Sequence, residues 1–153
     1  MRIANDILIP ELGRLLKEGK EVRFTPSGVS MRPFIEGDQD SVILEAVTAS
    51  PRKGDVLLAS VLTQAGTQTY VLHRLVRIEK GMQGEAVYVL QGDGNISGEE
   101  RCGYADIIGR VIRIEAPSGR RKPMVRGRVW YAVRRWRPFL LKVYRHSILK
   151  WCY

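Results

Sequence analysis

The chain has 153 residues, 44% of them hydrophobic, which is enough for one globular domain with a sizeable core and too little for a two-domain enzyme. Two cysteines, Cys102 and Cys152, exclude a disulfide framework. The formal charge of +9 is concentrated at one end: residues 119–153 hold eleven basic side chains and no acid, against fourteen basic and sixteen acidic before them, so attraction to nucleic acid or anionic lipid is a property of the tail alone.

In chain order, apolar Ile7, Leu8, Leu12, Leu15 and Leu16 recur at three- and four-residue spacing, which predicts a short amphipathic helix stopping near Gly19. Charged residues interrupt this segment throughout, so it does not read as an export signal. From residue 21 the pattern changes to short β-prone runs at 21–24, 41–46, 55–61, 69–78, 86–91 and 107–114, separated by turn signals such as Gly92-Asp93-Gly94-Asn95. Strands at this spacing with no long helix between them predict a mainly β, antiparallel, coiled or barrel-like sheet. The expected organisation is a helix over 1–20, a β body over 21–116, and a tail over 117–153 that opens with a linker at 117–121. In the tail, Val129, Val133, Trp136, Leu140, Tyr144, Ile148 and Trp151 form one stripe and most arginines lie off it, so a basic amphipathic helix is expected there, kinked or divided at Pro138.

Three blocks in the β body supply a hydroxyl, an imidazole and a carboxylate, the groups an acyl-transfer site needs. In the first, Ser27-Gly28-Val29-Ser30-Met31-Arg32-Pro33, Gly28 permits an unusual backbone before Ser30 and Pro33 fixes the chain after it. A serine on such a bend can present its oxygen to a cleft, with backbone N–H groups at hand for an oxyanion. In the second, His73 lies in a β-prone run and shares a face with Val71 and Leu75, hence an apolar wall. In the third, Asp93 ends a strand in a glycine turn where it could orient His73, and Glu99 and Glu100 follow closely enough to compete for that role.

Taken in order, these blocks resemble the serine peptidase superfamily that unites signal peptidase I with the self-cleaving repressors. The resemblance covers residues 24–115 and rests on the Ser30-Met31-Arg32-Pro33 nucleophile motif, Gly37-Asp38, Gly54-Asp55-Val56-Leu57, His73-Arg74, Gly92-Asp93-Gly94-Asn95 and Ile108-Gly109-Arg110-Val111. It implies a signal-peptidase-type core with Ser30 as nucleophile and His73 as general base, as in the His-type branch, since no lysine lies between Lys53 and Lys80. Asp93 is the first choice for the acid, with Glu99 or Glu100 as the alternative, and Gly28 leaves the oxyanion to backbone N–H groups. The implied substrate is an extended peptide with small residues before the cut.

No cofactor is implied, and His73, His146 and the two cysteines show no metal-ligand spacing. The tail, rich in Trp, Tyr, Lys and Arg, is expected to cover an apolar face of the β body or to rest on an anionic membrane surface; nucleic acid is the weaker reading because no binding fold accompanies it. The expected location is cytoplasmic, at most peripheral to the inner membrane face. The rival to a peptidase is a catalytically silent β module that binds peptide, anionic membrane or nucleic acid through the tail.

Overall fold

The computed structural model describes residues 5–95 and 97–125 and, beyond them, Ala132, Arg135, Trp136, Pro138, Phe139, Lys142 and Val143. It is mainly β: one helix, α1 (Asn5–Lys17), precedes eight antiparallel strands in one sheet, β1 (Val22–Phe24), β2 (Ser41–Glu45), β3 (Val56–Leu62), β4 (Gln68–Lys80), β5 (Ala86–Gln91), β6 (Glu100–Cys102), β7 (Ile107–Glu115) and β8 (Arg121–Lys122). The strand order is β1-β2-β7-β3-β4-β5-β6, with β8 paired to β7. The sheet is open rather than a closed barrel, with β1 and β6 at its two ends.

Burial on both faces of the central strand explains the layering. On β3, Val56 and Leu58 join a core with Val42, Leu44, Leu72 and Val111, while the intervening Leu57, Ala59 and Val61 join a second core with Leu75, Tyr88, Leu90 and Cys102. The helix caps the first core: Leu12 and Leu16 of the expected apolar face, together with Ile9, are at most 5% exposed, whereas Ile7, also expected on that face, is 69% exposed. The second core brings Cys102 of β6 against residues of β3, so the sheet coils back over its own far face, as right-handed strand twist favours.

Strand β4 does two jobs. Its first half (Gln68–Arg74) pairs with β3 and its second (Arg74–Lys80) with β5, so the β5-side edge of residues 68–73 is left open. The segment expected to be a linker is instead a tight turn: Ala116 N–H donates to Arg120 O, and β8 returns to pair with Ile114 and Glu115 of β7. The boundary expected at residue 116 therefore falls inside a hairpin, and the helix outside the expected body is part of its core. Most of the expected tail helix lies outside the described residues; those described in it have helical backbone and are exposed.

Candidate functional site

The turn that carries Ser30 is pinned from below and from the side. Met31 and Ile35 are buried in the first core, 4% and 1% exposed, and Phe34 and Ile35 N–H donate to Met31 O, so the turn is anchored immediately after Ser30. Upstream, Gly28 has φ +88°, and its carbonyl oxygen lies 1.8 Å from where a Cβ on Gly37 would be, so the two backbones pass in direct contact. The Arg32–Pro33 peptide is cis. Arg32 and Glu36 form an ion pair across the turn.

The 92–95 turn braces this segment against β4. Gly94 N–H donates to Ser30 O at 2.7 Å, and a methyl on Gly92 would lie 2.5 Å from Ser30 O and 3.1 Å from His73 Nε2. Only a residue without a side chain lets the Ser30 backbone and the His73 ring close over the same point. Ser30 and His73 both line one cleft of about 140 Å³, together with Ser27, Gly28, Met31, Val71 and Leu72. Among the described residues no hydrogen bond joins the Ser30 hydroxyl to the imidazole.

The cleft opens into a larger cavity of about 310 Å³ lined by Leu8, Ile9, Phe24, Thr25, Asp38 and Leu58, the two sharing Pro26, Ser27, Tyr70 and Leu72. The result is a groove between the chain that follows β1 and the open edge of β4, with α1 at one end.

The structure corrects the assignment of the carboxylates. His73, 5% exposed, meets Glu100 and not the first-choice Asp93: Nδ1 lies 2.9 Å from Glu100 Oε2. Asp93 instead takes the neighbouring guanidinium, accepting from Arg74 Nη2 at 2.6 Å and Nε at 2.8 Å, both side chains being almost fully buried. Glu99 is held by Arg77, two nitrogens on two oxygens at 2.6 and 2.7 Å. Three acids that crowd into eight residues of sequence thus each face a different base on β4. β4 carries His73, Arg74 and Arg77 within five residues, but a bulge between Leu75 and Arg77 breaks its alternation, so no local pattern in the sequence signals this sorting.

Arg74, marked in the sequence only as the second residue of the His73-Arg74 motif, is the structural hub. Its Nη1 also donates to Gly54 O at 2.8 Å and Val125 O at 2.7 Å, and its guanidinium sits 5.5 Å from the Phe34 ring centroid. A buried cation needs this degree of satisfaction to be tolerated. It ties β4, the turn before β3, the 92–95 turn and the end of the described body to one point beside His73.

Chemically, the site offers a hydroxyl on an anchored turn, an imidazole in the same cleft and a carboxylate on the far ring nitrogen. Comparison with protein-family models, with curated proteins and with solved structures gave no match.

Proposed function

We propose that the protein is a serine endopeptidase resembling the His-type branch of the signal-peptidase superfamily, with Ser30 as nucleophile, His73 as general base and Glu100 as the orienting acid. The observation that carries this reading is the single cleft lined by Ser30 and His73 with Glu100 on Nδ1 of the imidazole. A proton on Nδ1 donates to Glu100 and leaves Nε2 with the lone pair that a base needs, on the side of the Gly92 turn and Ser30. Catalytic hydrogen bonds missing from a substrate-free site commonly form when substrate fills it, which fits the unmade contact between the hydroxyl and the imidazole.

In this mechanism Ser30 Oγ attacks the scissile carbonyl carbon while its proton passes to Nε2. The C–N bond then breaks, the proton goes to the departing amine, and an acyl ester remains on Ser30. Water, deprotonated by the same imidazole, releases the acid and restores the serine. Glu100 balances the imidazolium formed in each step, and backbone N–H groups about the Gly28–Ser30 bend serve the oxyanion. An extended peptide would enter by adding to the open edge of β4 over residues 70–73, with a small side chain in the 140 Å³ cleft.

The test is intact-mass detection of acylation by a serine-directed β-lactone, whose ring ester opens to leave an acyl ester on the serine. A single adduct on the wild type that disappears in Ser30→Ala and in His73→Ala supports the peptidase. No adduct on the wild type refutes it.

A second reading concerns the tail. Trp136, Phe139 and Val143, spaced three and four residues apart, are 65%, 62% and 48% exposed, and Arg135 and Lys142 beside them are exposed as well. We infer that this basic aromatic segment rests on an anionic membrane surface. Among the described residues no helix is long and apolar enough to cross a membrane. Sedimentation with phosphatidylserine vesicles, abolished by a paired Trp136→Glu and Phe139→Glu substitution, tests it; equal sedimentation of the variant and the wild type refutes it.

A further inference from the structure

The residue that orients His73 belongs to one of the smallest elements of the fold. β6 has three residues, and Glu100 is its first, paired with Leu90 at the very edge of the sheet. A carboxylate at the start of so short an edge strand, 26% exposed, has little packing of its own to hold it on the ring. What fixes it is next door. Glu99 is gripped by Arg77 through both oxygens, an arrangement that sets the direction of the chain as well as its distance. Arg77 is itself held by Glu79 at 2.6 Å, and Glu79 accepts from Arg101 at 3.3 Å on the far side of Glu100. The two carboxylates hold the Arg77 guanidinium above its ordinary value, the bond from Glu99 contributing most.

The same strand therefore holds the loop that follows β5 at both ends. Arg74 takes Asp93 where the loop begins and Arg77 takes Glu99 where it ends, while His73 lies beside the first grip and receives Glu100 from the second. The first grip is buried and structural. The second is half-exposed, and neither of its partners lines the cleft of Ser30 and His73. A bidentate pair placed one residue from the acid, where the fold has little apolar area to protect, points to a role in aiming that acid.

We propose that Arg77, by clamping Glu99, is a positioning residue that holds Glu100 against Nδ1 of His73. The kinetic consequence rests on the peptidase reading above, but the placement of Glu100 does not. Partners one contact removed from a reacting group commonly matter about tenfold or more, so Arg77→Ala and Glu99→Gln should each lower the maximal rate of β-lactone acylation about tenfold. The probe concentration that gives half the maximal rate should stay within about twofold, since neither side chain lines the cleft. The charge-swapped pair Arg77→Glu with Glu99→Arg should recover most of the lost rate. Arg101→Ala, which loses only the contact to Glu79, should behave as wild type.

A second readout needs no catalysis. A proton shared between Nδ1 and a carboxylate exchanges slowly enough to give a far-downfield proton NMR signal, assigned to His73 by its absence in His73→Gln. It should be present in wild type and Arg101→Ala, absent in Glu100→Ala, and lost in Arg77→Ala. Retention of both signal and acylation rate in Arg77→Ala overturns the proposal, as does a loss of rate that the charge swap does not recover. If the wild type is never acylated the peptidase reading fails, and the NMR series still decides whether Arg77 places Glu100.

Discussion

A methyl group at Gly92 probes the one point where the Ser30 backbone and the imidazole converge. Built on the existing backbone, the added carbon of Gly92→Ala sits 2.5 Å from Ser30 O, 2.8 Å from Asn95 Nδ2 and 3.1 Å from His73 Nε2. The amide of Asn95 can swing away, but a main-chain oxygen cannot. Relief to an ordinary contact requires a displacement of about 0.9 Å between the 92–95 turn and the Ser30 segment, and a misplacement of about 1 Å commonly costs about a hundredfold in rate. Overpacking of this kind also destabilises by about 1–3 kcal/mol. The appropriate control is Gly66→Ala: Gly66 has φ +77° with nothing within 4 Å of its would-be Cβ, so the substitution strains the backbone by about 1 kcal/mol without touching the site. β-Lactone acylation followed by intact mass, alongside urea denaturation, separates the two effects. Gly92→Ala should acylate about a hundredfold more slowly under conditions where it is fully folded, and Gly66→Ala should acylate at the wild-type rate. A folded Gly92→Ala protein that acylates at the wild-type rate refutes the reasoning.

Exchanging the carboxylates should split activity from stability. Glu100→Gln cannot balance an imidazolium and is expected to slow acylation about a hundredfold, while costing less than about 1 kcal/mol of stability because the pair is part-exposed; Asp93→Ala strips a buried guanidinium of its carboxylate and should destabilise by about 3–5 kcal/mol in urea titration. Equal stability losses for the two would contradict the sorting of the acids. Burial, with a smaller contribution from Asp106, pushes the Cys102 thiol up to about 11, above the ordinary 9.0. The folded protein therefore binds this proton more tightly than the unfolded chain. The corresponding stability is complete below about pH 9 and is lost as pH rises towards about 11, and urea midpoints in wild type and Cys102→Ala should diverge less as that window is crossed. At pH 8, iodoacetamide should leave Cys102 unmodified in native protein and alkylate it in denaturant, as peptide mapping would show. In the first core, Leu16→Ala removes a side chain 1% exposed between helix and sheet and should cost about 2–5 kcal/mol by thermal or urea unfolding.

The parts of the fold with a long enough period were legible. The spacing of Leu8, Leu12 and Leu16 located α1, and six β-prone runs located β1 to β5 and β7 to within a residue or two. β6 and β8 were invisible because three residues and two residues contain too little alternation to register, and both are charged. They exist because a neighbour supplies their pairing: β5 for the one and β7 for the other. The site divided in the same way. Ser30 and His73 were marked by local chemistry, a glycine before one and an apolar run around the other. The identity of the acid depended on which base of β4 each carboxylate would meet across the 92–99 loop, and the β-bulge between Leu75 and Arg77 resets that register in a way no local pattern announces.

The reach of Arg74 bears on how the polypeptide can be shortened. A fragment ending at residue 116 would delete β8, and even one ending at Lys122 would deprive the guanidinium of the Val125 carbonyl, leaving a polar vacancy beside the histidine strand. A fragment beginning at residue 21 would uncover the apolar surface that Ile9, Leu12 and Leu16 close. The shortest piece that keeps every one of these contacts runs from Asn5 to Val125, so an expression boundary drawn from composition alone, at 21 and 116, would cut through the fold at both ends.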